Sequence, residues 1–176
     1  MGTIVFLGKE ITMSDNFLYD IQRDYWLYYD ENRNIVTFGL TPSGVWKEGG
    51  CRSVEFTVAA GDTVQTGDTL AVAVTGKIKY LECPVGGKVL EINGALEATT
   101  QMLENTPYAY WWLARLIPEK PVVEEGTITA LEHYLSVLLE TDRRNAHGAK
   151  GGGSPTCKSV YSAIQKQKDT TSSGEC

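Results

Sequence analysis

The sequence has no run approaching the roughly 20 consecutive apolar residues that a membrane span requires, so no span is expected. It also has no basic excess. The 16 Lys and Arg are outnumbered by 22 Asp and Glu, leaving a net charge of -6. Nucleic-acid binders concentrate Lys and Arg to displace counterions, so nucleic acid is excluded as a partner. An acidic surface suits solubility and steering toward basic partners. The apolar patch Ile4, Val5, Phe6, Leu7 has no basic residue before it, which argues against a secretory leader. Gly2 alone does not make a myristoylation signal, because Phe6 stands where that signal wants Ser or Thr. Histidine is scarce: His133 and His147 both lie near the carboxyl end, leaving no imidazole in the central region to act as a base or metal ligand. Cys51, Cys83, Cys157 and Cys176 form no CxxC pair, which fits free thiols in a reducing cytoplasm. A phosphate-binding loop around Gly76-Lys77 is excluded by Ala71 and Ile78, where glycine and a hydroxyl residue are needed.

What is present is a β pattern. With 176 residues, 42% of them hydrophobic, the chain supports one core with appendages. From Tyr19 to about Ile117, β-branched and aromatic residues alternate with Gly-Asp, Gly-Gly and Asn-Gly turns. Trp26 to Tyr29 reads as a strand, Asp30 to Asn34 as a turn and Ile35 to Thr41 as the next strand. Two similar units follow, from Ala60 to Val74 and from Pro84 to Leu96, each a turn leading into an alternating strand. Thr75-Gly76-Lys77-Ile78-Lys79-Tyr80 connects them as a hairpin. Pro121 is expected to end the β region. Beyond it, Leu131, Tyr134, Leu135, Leu138 and Leu139 recur at helical spacing after a cap at Thr127 or Thr129. That stripe predicts a helix packed on the domain, with His133 on its surface. From about Asn145, Gly151 to Gly153 and the following Ser and Pro predict a flexible linker and a polar tail, with a short helix near Val160 to Lys168.

These segments resemble a known family. Gly61-Asp62-Thr63-Val64, Gly67-Asp68, Ala71 to Lys77, Pro84 to Val89 and Ile92-Asn93 are similar to the H-protein of the glycine cleavage system and the wider biotinyl/lipoyl domains. Asp24-Tyr25-Trp26 stands at the family's His-Glu-Trp element, and Phe38-Gly39-Leu40-Thr41 matches its Val-Gly-Ile-Thr strand. Asn105 to Leu113 resembles its Asn-x-x-Pro-Tyr-x-x-Gly-Trp segment. The resemblance implies a mainly β fold, a barrel-sandwich hybrid in the form of a flattened lipoyl/biotinyl-type barrel, with a carboxy-terminal helix. It implies an amino-terminal segment at 1–17, a lipoyl-type domain at 18–118, the helix at 119–145 and a tail at 146–176.

By the same resemblance the chain is a cytoplasmic carrier and not an enzyme. Lipoate would be amide-linked to Lys77, with Lys79 the second choice and Val74, Thr75 and Gly76 supporting the hairpin. The swinging arm would carry an intermediate or reducing equivalents between lipoate-dependent enzymes, in glycine catabolism or in a sulfur-oxidising system. A lipoate ligase or transferase would be a further partner, and no metal is implied.

Three departures from the family pattern bear on this. The hairpin is one residue short when counted back from Pro84, Val74 replaces an acidic residue three before the lysine, and Trp111 replaces the glycine before the family's final tryptophan. A one-residue deletion flips a strand's faces unless a turn or bulge absorbs it, and Gly76, free to adopt positive φ, is the expected place. The altered hairpin supports an alternative, a non-lipoylated relative acting as an interaction module. Cys83 is expected to be a buried small residue, its functional alternative being exchange with the arm's disulfide. Trp112 is expected to anchor the core, with some of Tyr108, Tyr110 and Trp111 exposed.

Overall fold

The computed structural model describes residues 1–100, 103 and 107–151, with 147–151 as helix backbone only. The described residues fall into two units, the first Met1–Leu138 and the second beginning at Leu139. In the first, strands β3 (Leu18–Asp20), β4 (Tyr25–Asp30), β5 (Ile35–Leu40), β7 (Thr63–Val64), β10 (Gly87–Ile92), β11 (Trp112–Pro118) and β12 (Ile128–Thr129) form an antiparallel sheet. Its order is β12-β3-β4-β5-β11-β10-β7. A second sheet, β6 (Ser53–Phe56), β8 (Thr69–Val74) and β9 (Ile78–Glu82), has the order β6-β8-β9. Short helices α1 (Pro42–Lys47) and α2 (Ala95–Ala98) and a 3-10 turn at Tyr108–Tyr110 fill the connections.

Each strand offers alternate residues to one face, and the two sheets bury those faces against each other. The larger sheet contributes Tyr25, Leu27, Val36, Phe38, Val89, Leu113 and Leu116; the smaller contributes Val54, Leu70, Ala71, Ala73 and Leu81. The result is the lipoyl-type barrel-sandwich hybrid expected from the sequence, with its carboxy-terminal helix.

The amino-terminal 17 residues hold more structure than the sequence suggested. Strands β1 (Gly2–Phe6) and β2 (Lys9–Met13) form a hairpin whose two-residue turn puts Leu7 and Gly8 at φ of 50° and 75°. Positive φ at both central positions matches the right-handed twist of paired strands. Leucine in that conformation is unusual, which hides the turn from a search for Asn-Gly or Gly-Gly. Phe6, Ile11 and Met13 form a second core with Tyr19, Trp26, Leu131, Tyr134 and Leu138.

The β region also outlasts Pro121, since β12 pairs with β3. A two-residue strand is too short to show alternation. Helix α3 runs Leu131–Gly151, beyond the expected linker start near Asn145. Leu131, Tyr134 and Leu138 are buried as the stripe required, whereas Leu139 and His133 are exposed. No helix among the described residues is long and apolar enough to cross a membrane. The expected helix near Val160 to Lys168 lies outside the described residues, as do Cys157 and Cys176.

Candidate functional site

The hairpin β8-β9 closes at the pair Val74–Ile78, leaving Thr75, Gly76 and Lys77 as its loop. Thr75 is buried and grips Lys77 by its backbone. The Thr75 N–H donates to the Lys77 carbonyl at 2.9 Å, the Thr75 hydroxyl donates to the same oxygen at 3.1 Å, and the Lys77 N–H donates to that hydroxyl at 3.3 Å. The Arg52 N–H holds the Val74 carbonyl at 2.7 Å. The backbone is therefore fixed while the Lys77 side chain is 73% exposed.

Gly76 does not absorb the shortened hairpin. It is absent from the residues with positive φ, and a Cβ there would meet only the Glu48 carbonyl oxygen, at 4.0 Å. The irregularity in this hairpin is instead a register shift between Thr69 and Ala71, where Leu70 is the extra residue of β8 against β9. Leu70 and Ala71 are both buried, as a two-for-one bulge requires. The bulge restores inward parity for Ala73 and leaves Val74, Ile78 and Tyr80 exposed beside the loop.

Lys77 and Lys79 share the parity of the buried Leu81, and both reach Glu48 at the end of α1. Lys79 Nζ lies 3.3 Å from Glu48 Oε1 with its side chain 28% exposed; Lys77 Nζ lies 3.7 Å from Oε2. Burial alone would push the Glu48 carboxyl up, but the ammonium groups of Lys79, Lys77 and Lys47 prevail and hold it below its usual range. A carboxylate thus stands beside the hairpin although Val74 replaces the expected acidic residue within it. Glu48 is separated from Lys77 by 29 positions, and no local motif could have pointed to it.

Trp111, not Trp112, is the buried tryptophan of its pair. The register shift between Trp112 and Ala114 buries Leu113 and Ala114 together and turns Trp112 toward the surface, where the Arg115 guanidinium lies 4.5 Å from its ring centroid. Tyr108 is half-buried and Tyr110 exposed. Among the described residues, no group of His, Cys, Asp and Glu could hold a metal ion.

Cys83 is fully buried near the end of the hairpin away from the loop, and burial pushes its thiol up to about 12. Its neutral form is favoured by folding, so this contribution to stability is complete below pH 9 and is lost as pH rises toward 12. Cys51 is half-buried beside a groove of about 750 Å³ that also takes in Trp46 and Trp111. With Cys157 and Cys176 replaced by serine, native alkylation near pH 8 should therefore label Cys51 first, and Cys83 only on unfolding. Equal labelling rates, read by peptide mass, would contradict this burial.

An exposed lysine on a pinned hairpin loop, carried by a barrel-sandwich hybrid, defines the class as a lipoyl-type domain. The family model described as glycine cleavage H-protein matches residues 17–140. The chain belongs to that family, whose members are carriers rather than enzymes and normally bear covalently bound lipoate. The glycine cleavage system H protein of Mycobacterium tuberculosis strain H37Rv is 32% identical over 83 residues, spanning 47% of this chain and 58% of that protein. That of Shewanella putrefaciens is 32% identical over 81 residues, spanning 46% and 62%. These matches cover less than two thirds of the relatives' lengths. The crystal structure of a glycine cleavage system H protein from Mycobacterium marinum superposes with a TM-score of 0.60 at 20% identity, covering 70% of this chain and 97% of that one, a likeness of fold.

Proposed function

We propose that this chain is a lipoyl carrier whose arm is amide-linked to Lys77. It shuttles an arm-bound intermediate or reducing equivalents between partner enzymes of glycine cleavage or a related lipoate-dependent system. The observation that carries this reading is the contrast within one loop: the Lys77 backbone is held by three hydrogen bonds to Thr75 while its side chain extends into solvent. The residues fit the group. An amide at Nζ removes a charge whose ion pair is exposed and worth little, and the long arm meets no enclosing wall at the loop.

When bound, the lipoyl group supplies a strained disulfide that opens or is reduced at partner sites. The chain's own part is presentation. A rigid barrel with a tethered arm keeps the arm's effective concentration high at each partner in turn. Thr75 fixes where the arm emerges, and Val74, Ile78 and Tyr80 form the apolar surround that a lipoate ligase or transferase has to accept. The free thiols of Cys51 and Cys83 support a reducing, cytoplasmic setting.

Incubation with a lipoate ligase, lipoate and ATP should add one lipoyl group by intact mass. Lys77→Arg should abolish the shift, and Lys79→Arg should keep it. No shift under conditions that modify a known carrier would leave the non-lipoylated interaction module as the reading, with the exposed Val74, Ile78 and Tyr80 as its contact surface.

A further inference from the structure

We propose that Glu48 is a specificity-determining residue for modification of the hairpin, holding the ammonium of Lys79 out of reach so that acylation falls on Lys77. This deepens the carrier reading and takes its biological meaning from it. Its physical content concerns only the relative reactivity of two amines.

Lys77 and Lys79 are two residues apart with a single residue between them, too close for sequence distance alone to separate them for an acyl donor. Their environments differ. Lys79 donates a hydrogen bond to Glu48 Oε1 at 3.3 Å from a mostly covered position, while Lys77 stands 3.7 Å from Oε2, beyond hydrogen-bond reach, on the open side of the loop. Forming an amide requires a neutral amine with a free lone pair. A short, part-buried ion pair opposes that by holding the nitrogen against the carboxylate and occupying the side from which an acyl donor would approach. The half-buried pair suffers less solvent screening than the exposed one, so Glu48 restrains Lys79 more than Lys77.

The arrangement also reinforces itself. Amidation of Lys77 removes one of the two lysine ion pairs that share the carboxylate, leaving Lys79 as the lysine paired with Glu48. The first modification thereby protects the second site. Lys47 does not replace Glu48's partners, because its ammonium lies 3.2 Å from Asp24 Oδ2. The carboxylate comes from the end of α1 and not from the hairpin, so the modification site depends on tertiary structure as well as on the loop's own sequence.

The test is limiting acetylation of the folded chain with an N-hydroxysuccinimide ester, the ratio of label at Lys77 to label at Lys79 being read by peptide mass spectrometry. The unmodified chain should favour Lys77, and Glu48→Gln should lower that ratio by about threefold, the size expected for loss of a weak, partly screened ion pair. An unchanged ratio in Glu48→Gln that melts like the parent would overturn the proposal. If the variant melts differently, the ratio is read in parent chain at rising salt, where screening should lower it in the same direction; a ratio indifferent to salt would overturn the proposal equally. A parallel incubation with lipoate ligase keeps the two readings apart. Failure of the parent chain to take lipoate would remove the carrier reading, while the acetylation ratio alone would decide the role of Glu48.

Discussion

Gly39→Ala is expected to destabilise the chain by about 3 kcal/mol or more, at the upper end of what overpacking costs. Gly39 lies in β5 between Trp26 and Trp112. A Cβ built there would fall 2.1 Å from the Trp111 carbonyl oxygen, 2.7 Å from the Trp112 Cα and 2.8 Å from the Trp111 carbonyl carbon. All three are backbone atoms, so no rotamer change relieves the clash, and β11 would have to move away from β5. The Leu40 N–H, which donates to the Trp111 carbonyl at 3.1 Å, would be lost in the same movement. Urea denaturation followed by tryptophan fluorescence measures the loss. Gly76→Ala is the matched control, expected to change stability by less than about 0.5 kcal/mol because its surroundings are open and its φ is not positive. A Gly39→Ala chain within about 1 kcal/mol of the parent would show that the β5-β11 approach is not as close as described.

Tyr134→Phe carries the next largest expected effect, a loss of about 2 kcal/mol. The buried Tyr134 hydroxyl donates to Asp24 Oδ1 at 2.8 Å, and its oxygen lies 2.9 Å from the Ser43 hydroxyl. Its one proton goes to the carboxylate, so Ser43 is the donor in the second contact. Asp24 sits at φ of 55° in the turn from β3 to β4, where a short polar side chain tolerates the left-handed region. Its other oxygen meets Lys47 Nζ at 3.2 Å. Phenylalanine keeps the ring stacked 5.0 Å from Tyr19 but leaves a buried carboxylate with one partner fewer. The loss should therefore appear in denaturation without a change in helix content. A variant as stable as the parent would mean that water or Lys47 replaces the hydroxyl without cost.

Gly39 and Tyr134 differ in how much their local sequence reveals. Gly39 lies in Phe38-Gly39-Leu40-Thr41, where a glycine inside a strand is a local signal of close backbone approach. Nothing local linked Asp24 to Tyr134, which is 110 positions away. Period-2 alternation and turn residues made β4, β5, β8 and β10 readable, since those signals lie within a few residues of each other. Helix α3 was readable from Leu131, Tyr134 and Leu138 for the same reason. The turn at Leu7-Gly8 and the two-residue β12 escaped because one uses an atypical residue and the other is too short to show a period.

The lysine hairpin divides along the same line. By itself the sequence determined that a short hairpin bearing Lys77 lies between alternating strands, because strand period and turn chemistry are local, while the lipoyl-type barrel around it was implied by the family resemblance. Tertiary structure decided the rest. It placed the strand bulge at Leu70 and gave Gly76 no positive φ, buried Trp111 in preference to Trp112, and brought Glu48 to the two lysines. Each of these depends on which face a strand turns inward and what stands opposite it, and neither is settled until the two sheets close on a common core.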